Sequence, residues 1–187
     1  YIIKEACKDA QKLQKEGTPL SISVNISPKQ LESAVFVREV RRILQEVDLH
    51  DIQLILEVTE RSLLSTSGRI LERIRELKQL GIQMSMDDFG MGHSSMMYLQ
   101  ENAFDEVKLD GSLVRQILEN ERSRDIVRGI TRLAASMQFH VVAEFVETRE
   151  QMELLKALHC DIYQGYYYGK PCSCDEFIIK YLKQEPR

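Results

Sequence analysis

The feature of this sequence that most restricts its fold is a regular alternation of strand patterns and helix patterns. After an opening helix pattern at 2–15, the two patterns follow each other six times. Alternation with short loops predicts a parallel sheet wrapped by helices. The predicted strands are 20–25, 53–58, one from 84 that ends at Asp87 and Asp88, 106–109, 140–146 and 161–167. The predicted later helices are 37–47, 67–80, 95–100, 123–137, 148–158 and 175–183.

The two faces of these strands favour a barrel over an open sheet. An open sheet with helices on both sides would be apolar on both faces, as in doubly wound folds. Here one face is apolar, formed by Ile22, Val24, Leu54, Leu56, Met84, Met86, Val107, Leu109, Val141 and Ala143. The other face is small or polar, formed by Ser21, Ser23, Asn25, Glu57, Ser85, Asp87, Lys108 and Glu144. We therefore predict an α/β fold, a (β/α)₈ TIM-like barrel with about six of its eight βα units in this chain.

Length and composition are those of a globular domain. The chain has 187 residues and a formal net charge of −4, with no apolar run near the ~18 residues of a membrane span and no basic block suited to DNA. We expect residues 1–187 to form a single domain that lacks its first two strands. The four cysteines are too scattered for a disulfide framework, and a zinc site drawn from Cys172, Cys174, His159 and Cys160 matches no usual spacing. We predict a cytoplasmic location, in a free protein or in the cytoplasmic part of a membrane-anchored parent.

The stretch from Met84 to Ser95 contains adjacent carboxylates and glycines that are candidate functional residues. A strand ends there in Asp87 and Asp88, and a loop punctuated by Gly90 and Gly92 follows. At the end of a barrel strand both carboxylates face the open mouth, where barrel enzymes keep their active sites. Two neighbouring carboxylates repel each other unless a cation or a shared proton lies between them. The competing interpretation is an ordinary polar turn.

Every predicted strand delivers a polar side chain at or near its carboxyl end. In a barrel these side chains would converge into an oxygen-rich anionic cage suited to Mg²⁺ or Mn²⁺, and two such ions would clamp a phosphodiester. Lys108 would stabilise the attacking hydroxide or the phosphoryl oxygens. The set is Asn25, Glu57, Asp87, Asp88, Lys108, Glu144 and Gln164.

Simpler interpretations remain open for single members of this set. A lone carboxylate at a strand end is more often a helix cap or a surface charge. Lys108 would serve equally well in a structural ion pair with Asp110. His93 lies on the central loop and is a candidate ligand contact, whereas the other histidines look like loop or strand-edge residues.

Six motifs in order resemble the EAL domain of cyclic di-GMP phosphodiesterases over essentially the whole chain. They are Ser23-Val24-Asn25-Ile26-Ser27, Leu56-Glu57-Val58-Thr59-Glu60, the Asp87-Asp88-Phe89-Gly90 loop through Ser95, Val107-Lys108-Leu109-Asp110, Val142-Ala143-Glu144 with Val146-Glu147-Thr148, and Gln164-Gly165-Tyr166 with Lys170-Pro171. The resemblance implies a modified TIM barrel that opens cyclic di-GMP to linear pGpG with two Mg²⁺ or Mn²⁺ ions.

The resemblance also implies roles for individual residues. Lys108 would support the attacking water, Glu60 would brace the loop after Asp88, and Glu147 and Gln164 would support the site. The implied metal ligands are Asn25, Glu57, Asp87, Asp88 and Glu144. A homodimer and fusion to, or regulation by, GGDEF or sensory domains are further expectations.

Two departures from the family pattern keep other functions open. The Glu-Ala-Leu signature is absent from this sequence, and Phe145 stands where the family has Gly. A Phe ring there would displace Glu144 or, as its alternation with Glu144 favours, point outward under the helices. The alternatives to an enzyme are an inactive domain that binds cyclic di-GMP as a sensor and a protein-interaction scaffold.

Overall fold

In a computed structural model, the chain forms six parallel strands that alternate with helices. The structure describes residues 1–14, 20–47, 49, 52–63, 69–90 and 96–182. The strands are β1 Leu20–Asn25, β2 Ile52–Thr59, β3 Gln83–Phe89, β4 Glu106–Leu109, β5 His140–Ala143 and β6 Ile162–Tyr163. The helices are α1 Ile2–Gln14, α2 Pro28–Leu31, α3 Ala34–Glu46, α4 Glu60–Leu63, α5 Arg69–Lys78, α6 Met96–Gln100, α7 Gly111–Arg115, α8 Glu121–Met137, α9 Arg149–Ala157 and α10 Cys174–Phe177, which continues as a π-helix at Ile178–Leu182.

The strands pair in the order in which they occur along the chain. Their order is β1-β2-β3-β4-β5-β6, and each neighbouring pair is parallel. This sheet is the six-strand portion of a curled barrel wall, which confirms the predicted α/β class. Because all strands run in one direction, their carboxyl ends meet at one edge of the sheet.

Helices cover the outer, apolar face of the sheet and form the core with it. Leu56, Met84, Met86, Val107 and Leu109 are completely buried on that face. The covering helices present apolar residues at intervals of three and four, as amphipathic helices do. The buried stripes are Val37, Val40 and Ile43 in α3, Ile70, Ile74 and Leu77 in α5, and Val127, Ile130 and Ala134 in α8.

Two predicted strands are too long, and the structure corrects both. β5 ends at Ala143 because Phe145 has φ of +54°, outside the β region. β6 pairs only at Ile162 and Tyr163. The chain then turns back, and the Tyr167 N–H donates to the Val146 carbonyl at 3.0 Å. The predicted helix 175–183 is divided between α10 and the π-helix.

Some predictions concern residues outside the described part of the chain. The loop after Gly90, with Gly92 and His93, is among them, as is His50. Among the helices that the structure describes, none is both long and apolar enough to cross a membrane.

Candidate active site at the carboxyl ends of the strands

Neighbouring strands carry the predicted site residues to the same edge of the sheet. The register pairs Asn25 at the end of β1 with Glu57 in β2, and Thr59 in β2 with Asp87 in β3. Lys108 lies in β4, and Glu144 directly follows β5. Alternation along the strands turns these side chains to the inner face, away from the helices.

Lys108 lies at the centre of this edge and joins two carboxylates from different strands. Its Nζ donates to Glu57 Oε2 at 2.9 Å and lies 2.8 Å from Glu144 Oε1. The Lys108 residue is only 5% exposed, and Glu57 is also buried. Such a charge triad is tolerated in a protein interior only because each charge has a hydrogen-bonded partner.

The pairing with Asp110 that the sequence left open is not what the structure contains. Asp110 caps helix α7 instead, because its Oδ1 accepts the Ser112 N–H at 2.8 Å. Lys108 therefore belongs to the mouth of the sheet and Asp110 to the helix that follows.

Burial and neighbouring charges shift the pKa values in this cluster. Burial alone would lower the pKa of Lys108, but hydrogen bonds and charges from Glu144 and Glu57 outweigh it and raise the pKa above its ordinary 10.5. Burial raises the pKa of Glu144, and the Lys108 ammonium opposes that rise. Lys108 therefore stays protonated at neutral pH and holds the two carboxylates beside it.

Asp87 and Asp88 lie at the end of β3 and shape the start of the central loop. Asp88 has φ of +56°, and its N–H donates to Asp87 Oδ1 at 2.9 Å. Desolvation raises the pKa of Asp88, and the nearby charges of Asp87 and Asp110 add to the rise. This left-handed turn keeps Asp88 exposed at the mouth while Phe89 continues into the core.

Glu60 contacts the chain directly after β3. It is the first residue of α4 and is almost fully buried, and its Oε2 accepts the Gly90 N–H at 3.4 Å. This contact ties the end of β3, two residues after Asp88, to the helix that follows β2.

Glu147 and Gln164 line a cavity beside the triad. The cavity has a volume of about 330 Å³ and is bounded by Arg115, Glu144, Phe145, Glu147, Gln164, Gly165 and Tyr166. Glu144 belongs to both the triad and this cavity. Asn25 does not line this cavity; it is exposed at the end of the outermost strand β1, opposite Glu57.

The donor set fits a hard divalent cation by its chemistry. Asn25, Glu57, Asp87, Asp88 and Glu144 offer only oxygen ligands, which Mg²⁺ and Mn²⁺ prefer. Among the residues that the structure describes, no three His, Cys, Asp or Glu side chains converge in a metal-binding arrangement, and this holds for the cysteines of the zinc alternative as well. Glu57 and Glu144 point to Lys108 instead.

Phe145 does not point outward under the helices, as its alternation with Glu144 predicted. Its positive φ turns the side chain to the mouth, where it is 46% exposed. The guanidinium carbon of Arg115 lies 4.4 Å from the centre of the Phe145 ring. Sequence periodicity gave the wrong direction for Phe145 because this residue follows the end of a strand, and it missed Arg115, which ends a helix of five residues.

Glu106 is a second residue that the sequence analysis missed. It begins β4, faces the interior beside Ser85, and is only 7% exposed. Burial raises its pKa, the nearby Ser85 hydroxyl opposes the rise, and the Glu57 charge adds to it. Its two-residue spacing from Lys108 was the available signal, because alternate strand residues share a face.

Comparison with known proteins decides the family. Residues 1–171 match the EAL domain family. The chain belongs to this family. The EAL domain is 40% identical over 179 residues to an uncharacterized signaling protein of Caulobacter vibrioides, covering 96% of this chain and 22% of that protein. It is 34% identical to the cyclic di-GMP phosphodiesterase NbdA of Pseudomonas aeruginosa, covering 97% of this chain and 24% of NbdA. The chain thus spans about a quarter of these relatives.

Solved structures of EAL proteins share the fold of this EAL domain. The EAL enzyme Bd1971 bound to cAMP and cyclic di-GMP superposes with a TM-score of 0.87 at 30% identity, covering 95% of this chain and 50% of that one. Klebsiella pneumoniae BlrP1, in a manganese and cyclic di-GMP complex, gives a TM-score of 0.78 at 26% identity over 90% of this chain and 43% of that one. The fold is therefore the TIM-like barrel of the EAL family.

Proposed function

We propose that this EAL domain hydrolyses cyclic di-GMP to linear pGpG. The observation that carries the proposal is the position of buried Lys108 between Glu57 and Glu144. Asp87 and Asp88 lie at the same edge of the sheet, near the carboxyl end of β3. A phosphodiester bound there would meet one cation and several carboxylates. Named phosphodiesterases among the relatives, and structures with cyclic di-GMP and manganese, support the same substrate and ion class.

We propose the metal ligands to be Asn25, Glu57, Asp87, Asp88 and Glu144. Bound Mg²⁺ or Mn²⁺, as a pair of ions, would supply Lewis acidity to the phosphoryl group and lower the pKa of water. Among the protein groups, Lys108 pairs with Glu57 and Glu144 and presents its ammonium group toward the developing negative charge. Glu60 holds the loop after Asp88, and Glu147 and Gln164 line the wall of the adjacent cavity.

We also propose how this domain is placed in a longer parent protein. We infer that residues 1–187 are one EAL domain whose first two strands lie outside this sequence, since β1 and β6 each have a single strand partner among the described strands. The relatives include the oxygen sensor protein DosP and the bifunctional diguanylate cyclase/cyclic di-GMP phosphodiesterase MucR, of which the chain covers 22% and 26%, and this supports a parent protein with GGDEF or sensory domains. Pairing as a homodimer and a cytoplasmic location belong to the same proposal.

The test is hydrolysis of cyclic di-GMP by the full parent protein in Mg²⁺ or Mn²⁺, beside Asp87→Asn and the exposed control Asp125→Asn on α8. We expect turnover to pGpG that Asp87→Asn lowers at least 100-fold, because it removes one charge of a proposed ligand, while Asp125→Asn retains it. Turnover that survives Asp87→Asn would contradict the proposed site.

A sensor without catalysis is the second candidate. It is favoured by the arrangement of Glu57 and Glu144, which turn to Lys108 rather than to each other or to Asp87. Tight binding of cyclic di-GMP without turnover would support the sensor. Neither binding nor turnover would leave a scaffold.

A further inference from the structure

Phe145 has a backbone conformation that its side chain disfavours. Its φ of +54° is in the left-handed region, which costs a bulky L-residue roughly 1–2 kcal/mol relative to the right-handed region. Strain of this kind persists only when the surroundings hold it in place, and it concentrates at ligand contacts. The position of Phe145 beside the proposed ligand Glu144 makes the ring a candidate for such a contact.

Two neighbours hold the Phe145 ring in one orientation. The Arg115 guanidinium lies over one face of the ring, 4.4 Å from its centre. Gly111 lies against the ring edge, because a Cβ on Gly111 would come within 2.5 Å of Phe145 Cδ2. The absence of a side chain at 111 is therefore what leaves room for the ring.

The part of the ring that stays exposed faces the 330 Å³ cavity beside the triad. The cavity combines this aromatic surface with the guanidinium of Arg115, the carboxylate of Glu147 and the amide of Gln164. Aromatic and guanidinium planes stack on unpaired nucleobases, and carboxylate and amide oxygens accept the N–H groups of a guanine edge. Together these groups can stack on a purine base and form hydrogen bonds with its edge.

We propose that Phe145, held by Arg115 and Gly111, is a specificity-determining residue that stacks on one purine base of the dinucleotide. The inference rests on the proposed function, because the base reaches the cavity only when its phosphodiester lies at the triad. The stacked base would increase the affinity for a guanine dinucleotide over a diester that has no purine.

The experiment compares two substrates in the full parent protein. One is cyclic di-GMP, and the other is methyl 4-nitrophenyl phosphate, a diester without a purine. We expect Phe145→Gly to lower the ratio of the two kcat/KM values about tenfold, mainly through a higher KM for cyclic di-GMP, as loss of one base–aromatic stack predicts. The variant also relieves the positive φ, so its fold is expected to persist, and thermal unfolding checks this.

Two further variants test whether the position of the Phe145 ring determines the preference for cyclic di-GMP. Gly111→Ala retains every side chain of the mouth but displaces the ring, and we expect the ratio to fall in the same direction. Tyr181→Leu is the matched control, since Tyr181 is also a half-exposed aromatic residue with a cation near its ring, 4.9 Å away, but it does not line this cavity.

The outcomes separate this inference from the proposed function. If the wild type hydrolyses cyclic di-GMP and Phe145→Gly keeps the substrate ratio within twofold, the stacking inference is overturned and the enzyme remains. The same holds if Phe145→Gly raises kcat/KM, because the ring would then obstruct the mouth. If the wild type neither binds nor hydrolyses cyclic di-GMP, the proposed function fails and the inference fails with it.

Discussion

At the scale of single residues, Lys108 is a buried cation that pairs with two carboxylates. It is the cation beside both Glu57 and Glu144, and all three side chains are at most 12% exposed. Removal of one partner from a buried ion pair is far more costly than removal of the whole group, because the remaining charges stay buried and unpaired.

We expect Lys108→Met to lower the free energy of unfolding by about 3–5 kcal/mol, the usual cost of breaking a buried ion pair. Urea unfolding at pH 7.5 measures this. Lys78→Met is the matched control, since Lys78 forms a half-exposed pair with Asp105 and should lose less. A loss below 1 kcal/mol for Lys108→Met would mean that the triad is well hydrated in solution.

Glu106 makes the stability of the fold depend on pH. The direction is opposite to that of a salt-bridged carboxylate, whose pKa is lowered on folding. Its pKa is raised above the ordinary 4.5 because the residue is buried, so the folded state binds its proton more tightly than the unfolded state does. Stability then falls as the pH rises from the ordinary pKa through the raised one.

We therefore expect Glu106→Gln to flatten the decline in unfolding free energy as the pH rises above about 4.5. Urea unfolding across this range, compared with the exposed control Glu101→Gln, measures the difference. Parallel pH profiles for the wild type and Glu106→Gln would show that the carboxyl group titrates normally and refute the prediction.

At the scale of elements, the strand ends are decided by close backbone contacts. After β6, Gly165 packs so tightly on Val146 that a Cβ would overlap the Val146 carbonyl oxygen and amide nitrogen. This approach supports the hydrogen bond from the Val146 N–H to the Gln164 carbonyl at 3.0 Å. Gln164 and Glu144 are thereby held on the same wall of the cavity.

We expect Gly165→Ala to lower the free energy of unfolding by about 1–3 kcal/mol, since the overlap is with backbone that cannot rotate away. Gly129→Ala is the control, because Gly129 lies inside α8 with open space around it and Ala favours a helix by up to about 1 kcal/mol. Thermal unfolding should move in opposite directions for the two variants. Equal effects would contradict the close contact.

At the scale of the whole molecule, the sheet has two outer edges. Each of β1 and β6 pairs with only one other strand in the described part of the chain, and Ser21, Ser23 and Asn25 of β1 are exposed. Unpaired strand edges are templates for association with other chains.

We expect these 187 residues, produced on their own, to associate with increasing concentration and to unfold without a sharp transition. Light scattering and thermal unfolding measure both properties. The matched sample is a longer one that includes the two strands proposed to complete the barrel, which would pair with the free edges. A monomer with a cooperative transition for the 187 residues alone would refute the proposal of missing strands.

The sequence by itself determined the architecture and the strand edge at which we propose the site. The alternation of patterns, the limits of β1 and β4, and the division into an apolar and a polar face all follow from local periodicity, which burial makes regular. Polar residues at the ends of parallel strands share one edge by topology alone. The family follows from the motifs at those ends.

Only the tertiary structure decided which of these groups contact each other. The pairing of Lys108 with Glu57 and Glu144, 51 residues away in the case of Glu57, depends on the register of strands that are distant in the sequence. The contact of Phe145 with Arg115 and Gly111 depends on one positive φ. Periodicity cannot supply such contacts, because it describes the direction of each side chain within its own element and not the distance between elements.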